Sequence, residues 1–343
     1  MMDFIKEREV FDLVSFGEVM LRLSPPDKEK ISHGQVFEKN AGGAELNVAS
    51  GASLLGIRTA IITKLPDNKV GRFAKYKIRY GNVSDDYIIY DTSNEKRLGI
   101  YYYESGAYPR KSSVVYDRAN SSITNISLDE INSEIYDKTR LFHISGITLA
   151  LNENLRKVSL ELIKNFKNKG VAISFDANYR ASLWSEELAR ETITGILPYV
   201  DILFISEETS RRMMQRTGTL EEIMKNYTTE YGCKIVLTTR REVVSPTRHN
   251  FGSKIYYDGK FFEQEPYKNI EVVDRIGSGD AYVAGALFGI LKYGDIQKAL
   301  EFGNAMSAVK NTTYGDMPAS SLEEIESIIS SHKSDGTQDE MNR

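Results

Sequence analysis

The sequence has too few cysteines for an internal disulfide, and it has no apolar run long enough to span a membrane. Its 343 residues contain one cysteine, Cys233, so no disulfide can form within the chain. A single cysteine beside an apolar run is typical of a buried thiol in a reducing compartment. Neither the N-terminus, MMDFIKEREVFD, nor any later segment has the run of about 18 apolar residues that crosses a bilayer. We therefore expect a cytoplasmic protein that does not contact a membrane.

An excess of charge of one sign is also lacking. The 44 basic and 48 acidic side chains leave a formal net charge of −4, without a long basic run. This balance argues against a nucleic-acid groove, so an anionic ligand would need locally placed Arg or Lys. The histidines show no close ligand spacing, and we expect surface or core roles for them rather than a structural metal site. The histidines are His33, His143, His249 and His332.

The chain does contain a regular alternation of short apolar runs and amphipathic stretches. Most of the runs are apolar on both faces, which is typical of central strands covered by helices. The alternation predicts an α/β protein with a largely parallel, doubly wound sheet. The expected strands are 12–16, 59–65, 140–145, 171–176, 200–205 and 234–239. Potential helix caps, most of them followed by Glu three residues later, are Ser127, Ser185, Thr219 and Ser320.

Other segments interrupt this pattern. Residues 31–40 are extended and polar, and residues 97–118 are tyrosine-rich with a turn-like SGAYP between strand-like flanks. Together they predict a small β excursion, which is either a flap over a site or only a surface hairpin. Asp258-Gly259 predicts a tight hairpin turn, and the polar tail 331–343 is expected to be disordered.

A glycine-rich turn, Gly277-Ser278-Gly279-Asp280, precedes a long apolar, helix-forming run. It matches neither a dinucleotide fingerprint, nor a nucleophile elbow, nor a P-loop. Its amide groups at the start of a helix form a site for an anion. Asp280 can there accept a proton from a substrate hydroxyl while the amides hold a moving phosphoryl group. The alternative is an aspartate that only caps the helix.

A second glycine pair, Gly42-Gly43, precedes a helix rich in small and apolar residues. Glu45 and Asn47 lie in the first turn of that helix, where polar groups can reach a ligand. The alternative is close helix packing through Gly, Ala and Ser, without any ligand.

Taken together, the two segments resemble the signatures of the PfkB, or ribokinase-like, family of sugar kinases. The motif GG-x-x-x-N-x-A is met by residues 42–49, and the motif D-x-x-G-x-G-D by residues 274–280. Within that family the stretches FGEVMLRLSPP, DANYRASLW and YGDMPA are similar to those of 2-keto-3-deoxygluconate kinases. The resemblance implies a ribokinase-like fold in one domain, 1–330, with β-sheet lid segments near 18–41 and 88–120.

The resemblance also implies roles for individual residues. Asp280 is implied as the base that takes the proton from the sugar hydroxyl, beside an anion hole formed by Gly277, Ser278 and Gly279. Sugar contacts are implied for Gly42, Gly43, Asn47, Tyr101, Tyr116, Arg118, Arg180 and Asp316, and Arg22 is a candidate sugar contact. Nucleotide contacts are implied for Ser206, Thr238, Gly277, Gly279 and Asn304, and water-mediated Mg²⁺ contacts for Glu207 and Glu208.

Several positions depart from the family pattern. Many of these kinases have an aspartate at the position of Arg22, where it accepts hydrogen bonds from sugar hydroxyls. Arg22 cannot accept them, which argues against ribose, fructose or a nucleoside and suits an acidic sugar, unless the side chain points outward. Both outer positions of the N-x-x-E magnesium motif differ in the segment 206–209, and residues 237–253 lack the usual glycine-containing nucleotide loop.

The implied reaction is transfer of the γ-phosphoryl group of ATP, with Mg²⁺, to the terminal hydroxyl of 2-keto-3-deoxygluconate. One alternative is a kinase for 2-keto-3-deoxygalactonate, fructose or a modified sugar, and another is a non-catalytic sugar-binding protein on the same fold. A nicotinamide-dependent dehydrogenase is disfavoured, because Gly17 has no glycine partner for a GxGxxG motif. A monovalent-cation cofactor and a homo-oligomer paired through its lids are further expectations from the resemblance.

Overall fold

The strands of the chain form two separate sheets. The computed structural model describes residues 2–245 and 247–334, and within them the large sheet has ten strands and the small sheet four. In chain order the strands are β1 (Phe11–Phe16), β2 (Met20–Ser24), β3 (Glu38–Gly42), β4 (Thr59–Pro66), β5 (Ile88–Asp91), β6 (Gly99–Glu104), β7 (Ser113–Asp117), β8 (Thr139–Ser145), β9 (Ala172–Asp176), β10 (Ile202–Phe204), β11 (Ile235–Ser245), β12 (Arg248–Tyr257), β13 (Lys260–Glu263) and β14 (Tyr267–Glu271).

The large sheet is mostly parallel. Its strand order is β13, β12, β11, β10, β9, β8, β1, β4, β5, and β14 lies beside β12. Strands β5 to β11 of this order are parallel to their neighbours, whereas β12, β13 and β14 pair antiparallel. The predicted α/β fold is confirmed, since the six expected strands are β1, β4, β8, β9, β10 and β11. Strand β11 continues to Ser245, well beyond its expected end at residue 239.

Helices cover both faces of this sheet. The helices of the described segments are α1 (Ala44–Leu54), α2 (Lys69–Tyr80), α3 (Ile135–Lys138), α4 (Gly146–Ala150), α5 (Glu153–Asn168), α6 (Glu186–Ile196), α7 (Glu207–Arg212), α8 (Leu220–Tyr231), α9 (Ser278–Tyr293), α10 (Ile296–Lys310) and α11 (Leu322–Lys333). None of these helices is long and apolar enough to cross a membrane.

Alternation along the central strands divides the core in two. Val14 and Phe142 point into the apolar cluster with α5, α6 and α8, whereas Leu13 and Leu141 point into the cluster with α9 and α10. Because successive side chains of a strand face opposite sides, a strand covered on both sides must be apolar at nearly every position. This is the physical reason why the short apolar runs predicted central strands.

Most helix caps were predicted correctly. Ser127 and Thr219 form capping boxes with Glu130 and Glu222, and the Ser185 side chain accepts from the Leu188 amide. The fourth predicted cap was wrong by one position. Ser321 rather than Ser320 is the N-cap residue of α11, and its side chain accepts a hydrogen bond from the Glu324 amide. Adjacent serines offer the same side-chain chemistry, and the packing of Ile325 and Ile329 into the core decides which one the helix uses.

The small sheet contains β3, β2, β6 and β7 in that order. Strands β2 and β6 are parallel, and the two outer pairs are antiparallel. The predicted lid segment 88–120 begins too early, because β5 (Ile88–Asp91) pairs with β4 in the large sheet. Of the two open interpretations, a separate sheet is therefore present rather than a lone hairpin.

The structure bears on two further local predictions, the hairpin turn at Asp258-Gly259 and the disordered tail. Asp258 and Gly259 adopt φ values of 48° and 77° between β12 and β13, which confirms the hairpin. The disordered tail was predicted to begin too early, since α11 continues to Lys333. Residues 335–343 of that prediction lie outside the described residues.

Candidate active site

The first turn of α9 carries the glycine-rich segment. Gly277 has φ 80°, and a Cβ placed there would lie 2.0 Å from the carbonyl oxygen of Asp316, so only glycine fits. The Ser278 amide donates to the Arg275 carbonyl at 3.3 Å. In the described part of the chain, the amides of Gly277, Gly279 and Asp280 have no hydrogen-bond acceptor. The turn therefore leaves these three amides without an acceptor among the described residues, whereas the Ser278 amide is used in a turn bond.

Asp280 reaches across to α1 instead of capping its own helix. Its Oδ2 accepts a hydrogen bond from Asn47 Nδ2 at 2.7 Å, and α9 has no side-chain cap. Asn47 is buried, and its Oδ1 has no partner within the described residues. Burial raises the pKa of Asp280 to about 6, while the Asn47 bond and the charge of Arg180 act in the opposite direction. A half-buried base thus stands beside open amides.

The helix that supplies Asn47 packs closely against α9 and also directs a polar side chain to Asp280. A Cβ on Gly51 would lie 2.8 Å from Ala284, so α1 and α9 pack closely through small residues. Asn47, in the first turn, nevertheless points to Asp280. Close packing therefore brings the two helix starts together and does not exclude a ligand site.

Two further carboxylates surround this position. Glu45 is buried and accepts from the amide and hydroxyl of Ser145 and from the Thr148 hydroxyl. Burial raises its pKa to about 7. Asp176, at the end of β9, has its pKa raised to about 7 by burial and then by the charge of Asp280. Asp176 and Ser145, the partner of Glu45, lie at the carboxyl ends of the parallel strands β9 and β8, where α/β sheets bind ligands.

Arg22 points inward from β2 and is fully paired. It forms ion pairs with Asp274 at 2.6 Å and with Asp316 at 2.8 Å, and all three side chains are buried. The hydroxyl of Tyr101 also donates to Asp316. The outward orientation considered from the sequence is excluded. Three predicted sugar contacts, Arg22, Tyr101 and Asp316, thus contact one another in this structure.

Arg118 is likewise paired and buried. It donates to the carboxylate of Glu18, which also accepts from Ser121. Its guanidinium lies 5.4 Å from the ring of Tyr116, and that ring packs against Tyr101 at 5.8 Å. Tyr116 itself is 46% exposed. The sequence did not single out Glu18, although an acidic residue directly after a buried strand is a usable signal.

Arg180 differs from these two arginines. It lies in the loop after β9, is exposed, and forms no ion pair with any described residue. Its guanidinium donates a hydrogen bond to the Tyr179 carbonyl at 3.3 Å. Its positive charge nevertheless opposes the rise that burial causes in the pKa values of Asp176 and Asp280, so it lies close to both. Arg180 is therefore a cation at the site whose charge is available to an anion.

Gly42 and Gly43 allow close backbone contact at the start of α1. A Cβ on Gly42 would lie 1.9 Å from Asp316 Oδ2, and one on Gly43 would lie 2.1 Å from the Glu18 carbonyl oxygen. Gly43 also has φ 154°, which disfavours a side chain. Both glycines are thus explained by packing against Glu18 and Asp316, next to Asn47.

The predicted nucleotide contacts are not all brought together. Asn304 is buried in α10, where its Oδ1 accepts from Ser253 at 2.7 Å and its Nδ2 has no partner among the described residues. Thr239 and Ser253 are opposite each other on this face of the β11–β12 pair, whereas Thr238 pairs with Lys254 on the other face, towards α8. The alternation of β11 would have identified Thr239 as the better candidate.

The positions around α7 are engaged differently. Ser206 caps this helix, accepting from the Thr209 amide. Glu207 forms an ion pair with Arg211 at 2.7 Å, whereas Glu208 is exposed and has no ion pair within the described residues. Of the two predicted Mg²⁺ contacts, Glu208 is therefore the freer carboxylate.

Lys310 is a buried residue that the sequence analysis missed. Its Nζ donates to the carbonyl oxygens of Asp274 at 3.3 Å and Thr313 at 3.1 Å. It thereby ties the segment before the glycine turn to the end of α10. A lysine near the end of an otherwise apolar helix is the signal that was available.

The glycine turn yields a stability prediction. Gly277→Ala is expected to lower the free energy of unfolding by about 1–3 kcal/mol, because the methyl group forces a left-handed residue against the Asp316 carbonyl. Gly279→Ala is the matched control, since its Cβ would meet nothing within 4 Å. It is expected to stabilise slightly by restricting the unfolded chain. Denaturant titration measures the free energy of unfolding of both variants. Equal effects of the two substitutions would contradict the tight turn at Gly277.

The fold defines a ribokinase-like α/β protein in which the glycine turn and the Asp280 carboxylate lie side by side at the start of α9. The chain belongs to the pfkB family of carbohydrate kinases, whose profile matches residues 10–323. It is therefore a carbohydrate kinase, and the resemblance stated from its sequence motifs is confirmed.

Individual relatives support this assignment over nearly the whole chain. The 2-dehydro-3-deoxygalactonokinase of Haloferax volcanii is 35% identical over 318 residues, covering 93% of this chain and 96% of that protein. A 5-dehydro-2-deoxygluconokinase of Clostridium perfringens is 30% identical over 340 residues, covering 95% of each. The crystal structure of 2-dehydro-3-deoxygluconokinase from Thermotoga maritima has a TM-score of 0.89 and 36% identity, covering 95% of this chain and all of that one.

Proposed function

We propose that this kinase phosphorylates the terminal hydroxyl of a 2-keto-3-deoxy sugar acid, with 2-keto-3-deoxygluconate giving the 6-phosphate as the favoured reaction. The observation that carries the proposal is the Asp280 carboxylate beside the unbonded amides of Gly277 and Gly279. Asp280 takes the hydroxyl proton, the oxygen attacks the γ-phosphorus of ATP, and the bond from that phosphorus to the leaving ADP oxygen breaks. The amides stabilise the negative charge of the phosphoryl group in transit.

The charges of the site favour an acidic sugar. Arg22 and Arg118 are neutralised by buried carboxylates, so neither offers an unpaired charge to a ligand. Arg180 is not neutralised in this way, and a guanidinium binds a carboxylate through paired hydrogen bonds. We assign the sugar carboxylate to Arg180, and the sugar hydroxyls to the unpartnered Oδ1 of Asn47 and the exposed Tyr116.

The nucleotide and its metal are part of the proposal. Mg²⁺ arrives with ATP and neutralises charge on the phosphates. Glu208 would hold it through water, because Glu207 is paired with Arg211. The small sheet covers the sugar as a lid and excludes water. Location in the cytoplasm, a homo-oligomer and a monovalent-cation requirement stay predictions.

A second substrate has support of its own. The Haloferax volcanii relative is named for 2-dehydro-3-deoxygalactonate, which differs from the gluconate form only in configuration at one carbon. Both sugar acids present the same carboxylate and terminal hydroxyl to Arg180 and Asp280. The chain is therefore proposed to act on this substrate class, with the gluconate form favoured.

A panel of sugars assayed with ATP tests the substrate class. Wild-type enzyme is expected to turn over 2-keto-3-deoxygluconate and 2-keto-3-deoxygalactonate faster than neutral fructose. Arg180→Gln is expected to lower kcat/KM for the sugar acids by about 10- to 100-fold, the value of one charged hydrogen-bond pair, while fructose turnover changes little.

Arg72→Gln is the matched control, because Arg72 is an exposed arginine of α2 without an ion pair among the described residues. It is expected to behave as wild type with every sugar. Faster turnover of fructose than of any sugar acid by the wild type would refute the proposed substrate class.

A further inference from the structure

Two arginines beside the glycine turn have no counter-ion among the residues that the structure describes. Arg275 directly precedes Ile276 and Gly277, and Arg241 lies in the extended part of β11. Both are exposed, and neither forms an ion pair or a side-chain hydrogen bond with any described residue. The nearby Arg248, by contrast, is paired with Glu271.

Strand register aims Arg241 at the start of α9. Arg241 is opposite Phe251, on the same face as His249, and the Phe251 ring packs 5.8 Å from the ring of Tyr282 in α9. The Val272 amide donates to the Thr247 carbonyl at 2.9 Å, which joins the segment before the glycine turn to this strand pair. Arg241 and Arg275 therefore face the same space in front of the turn.

A buried histidine completes the group. His249 is 4% exposed, and its Nδ1 has no hydrogen-bond partner in the described part of the chain. Burial, followed by the charges of Arg241 and Arg275, lowers its pKa. Loss of hydration and the charge of Arg275 also lower the pKa of Arg241. Two cations repel each other here without a compensating anion, and an adjacent buried polar atom is unsatisfied.

We propose that Arg241 and Arg275 bind the phosphate oxygens of the nucleotide and hold it in line with the glycine turn, with His249 supporting them. This inference rests on the proposed function. The nucleotide is favoured over the sugar acid because Arg241 lies on the face of Asn304 and Ser253. Asn47 and Arg180, assigned to the sugar, approach Asp280 from α1 and β9. Guanidinium groups bind phosphate through paired, charge-assisted hydrogen bonds.

Calorimetric titration of the full-length protein with ADP, without sugar, tests the inference. Arg275→Gln and Arg241→Gln are each expected to weaken ADP binding by about tenfold or more, as loss of a charged hydrogen bond does. Adenosine, which lacks phosphate, is expected to bind all variants alike. Arg240→Gln is the matched control, since Arg240 is opposite Gly252 on the other face of β11.

Stability gives an independent readout. Because the two arginines repel each other, Arg275→Gln is expected to leave the melting temperature of the ligand-free protein unchanged or to raise it. A variant that melts lower and keeps full ADP affinity would show a structural role and overturn the inference.

Titration with inorganic phosphate separates the two sources of a phosphate ligand. If Arg275→Gln weakens inorganic phosphate binding and leaves ADP binding intact, the site serves a free phosphate and the nucleotide assignment is wrong. Phosphoryl transfer to sugar acids is measured separately. If the Arg275→Gln variant binds ADP more weakly than the wild type does, but the wild type phosphorylates no sugar acid, the proposed substrate is refuted and this inference stands.

Discussion

Asp280→Asn is expected to reduce kcat by about 10²–10⁴-fold, the usual contribution of a positioned general base. The amide oxygen of asparagine can still accept the hydrogen bond that Asn47 donates at 2.7 Å, so the fold and the sugar KM are expected to change little. What is lost is the ability to take the proton of the attacking hydroxyl. Steady-state kinetics with ATP and 2-keto-3-deoxygluconate measure the effect.

Asp258→Asn provides the matched control, since Asp258 is an exposed aspartate in the turn between β12 and β13, where asparagine is equally suited. Its activity is expected to equal that of the wild type. A similar kcat for Asp280→Asn and the control would eliminate the base, and with it the proposed mechanism.

The pH dependence follows from the raised pKa of Asp280. The base acts only when deprotonated, so wild-type activity is expected to fall as the pH drops through about 6. Folding stability changes with pH in the opposite direction, because the folded state binds the Asp280 proton more tightly than the unfolded chain does. The stability that protonated Asp280 contributes is fully present below the ordinary pKa of 3.8 and is lost as the pH rises through about 6. Asp280→Asn is expected to remove both dependences.

Arg22→Met is expected to lower the free energy of unfolding by about 3–5 kcal/mol, the cost of breaking a buried ion pair on one side. Asp274 and Asp316 would then be two buried carboxylates without their shared cation. Burial already raises the pKa of Asp316, and Arg22 is the largest opposing influence. Denaturant unfolding near neutral pH measures the change.

The contribution of an ion pair to folding stability depends on its exposure to solvent. Arg248→Met therefore serves as the comparison, because it removes an exposed pair. Arg248 and Glu271 are 3.6 Å apart and mostly exposed, so the loss is expected to stay within about 1 kcal/mol. In Arg22→Met/Asp274→Asn part of the lost stability is expected to return, because one of the stranded charges is gone. A stable Arg22→Met with a greatly raised KM for sugar acids would instead show direct substrate binding by Arg22.

The sequence was sufficient for the elements and for the centre of the site. Apolar runs predicted the central strands because helices cover both faces, and glycines at 277 and 43 marked backbone positions that tolerate no side chain. Asp280 and Asn47 were found because each lies in the first turn after a glycine motif. Local patterns therefore located the residues whose chemistry depends on local backbone geometry.

Long-range pairing could not be predicted in this way. Arg22 and Asp316 are 294 positions apart, and only the tertiary fold brings β2 next to the segment between α10 and α11. The same holds for Arg118 and Glu18, which are 100 positions apart and form a buried ion pair. Thr238 was misplaced for a simpler reason, since its face depends on strand register.

The pairing of Arg22 also limits how the small sheet can move. Ion pairs from β2 to Asp274 and Asp316, together with Arg118 and Glu18, hold the base of this sheet against the core. Separating it as a rigid plate would strand several charges away from water. The distal turn between β6 and β7, where Tyr108 is 83% exposed, forms no ion pair to the large sheet among the described residues. A movement confined to this turn would leave those buried ion pairs intact.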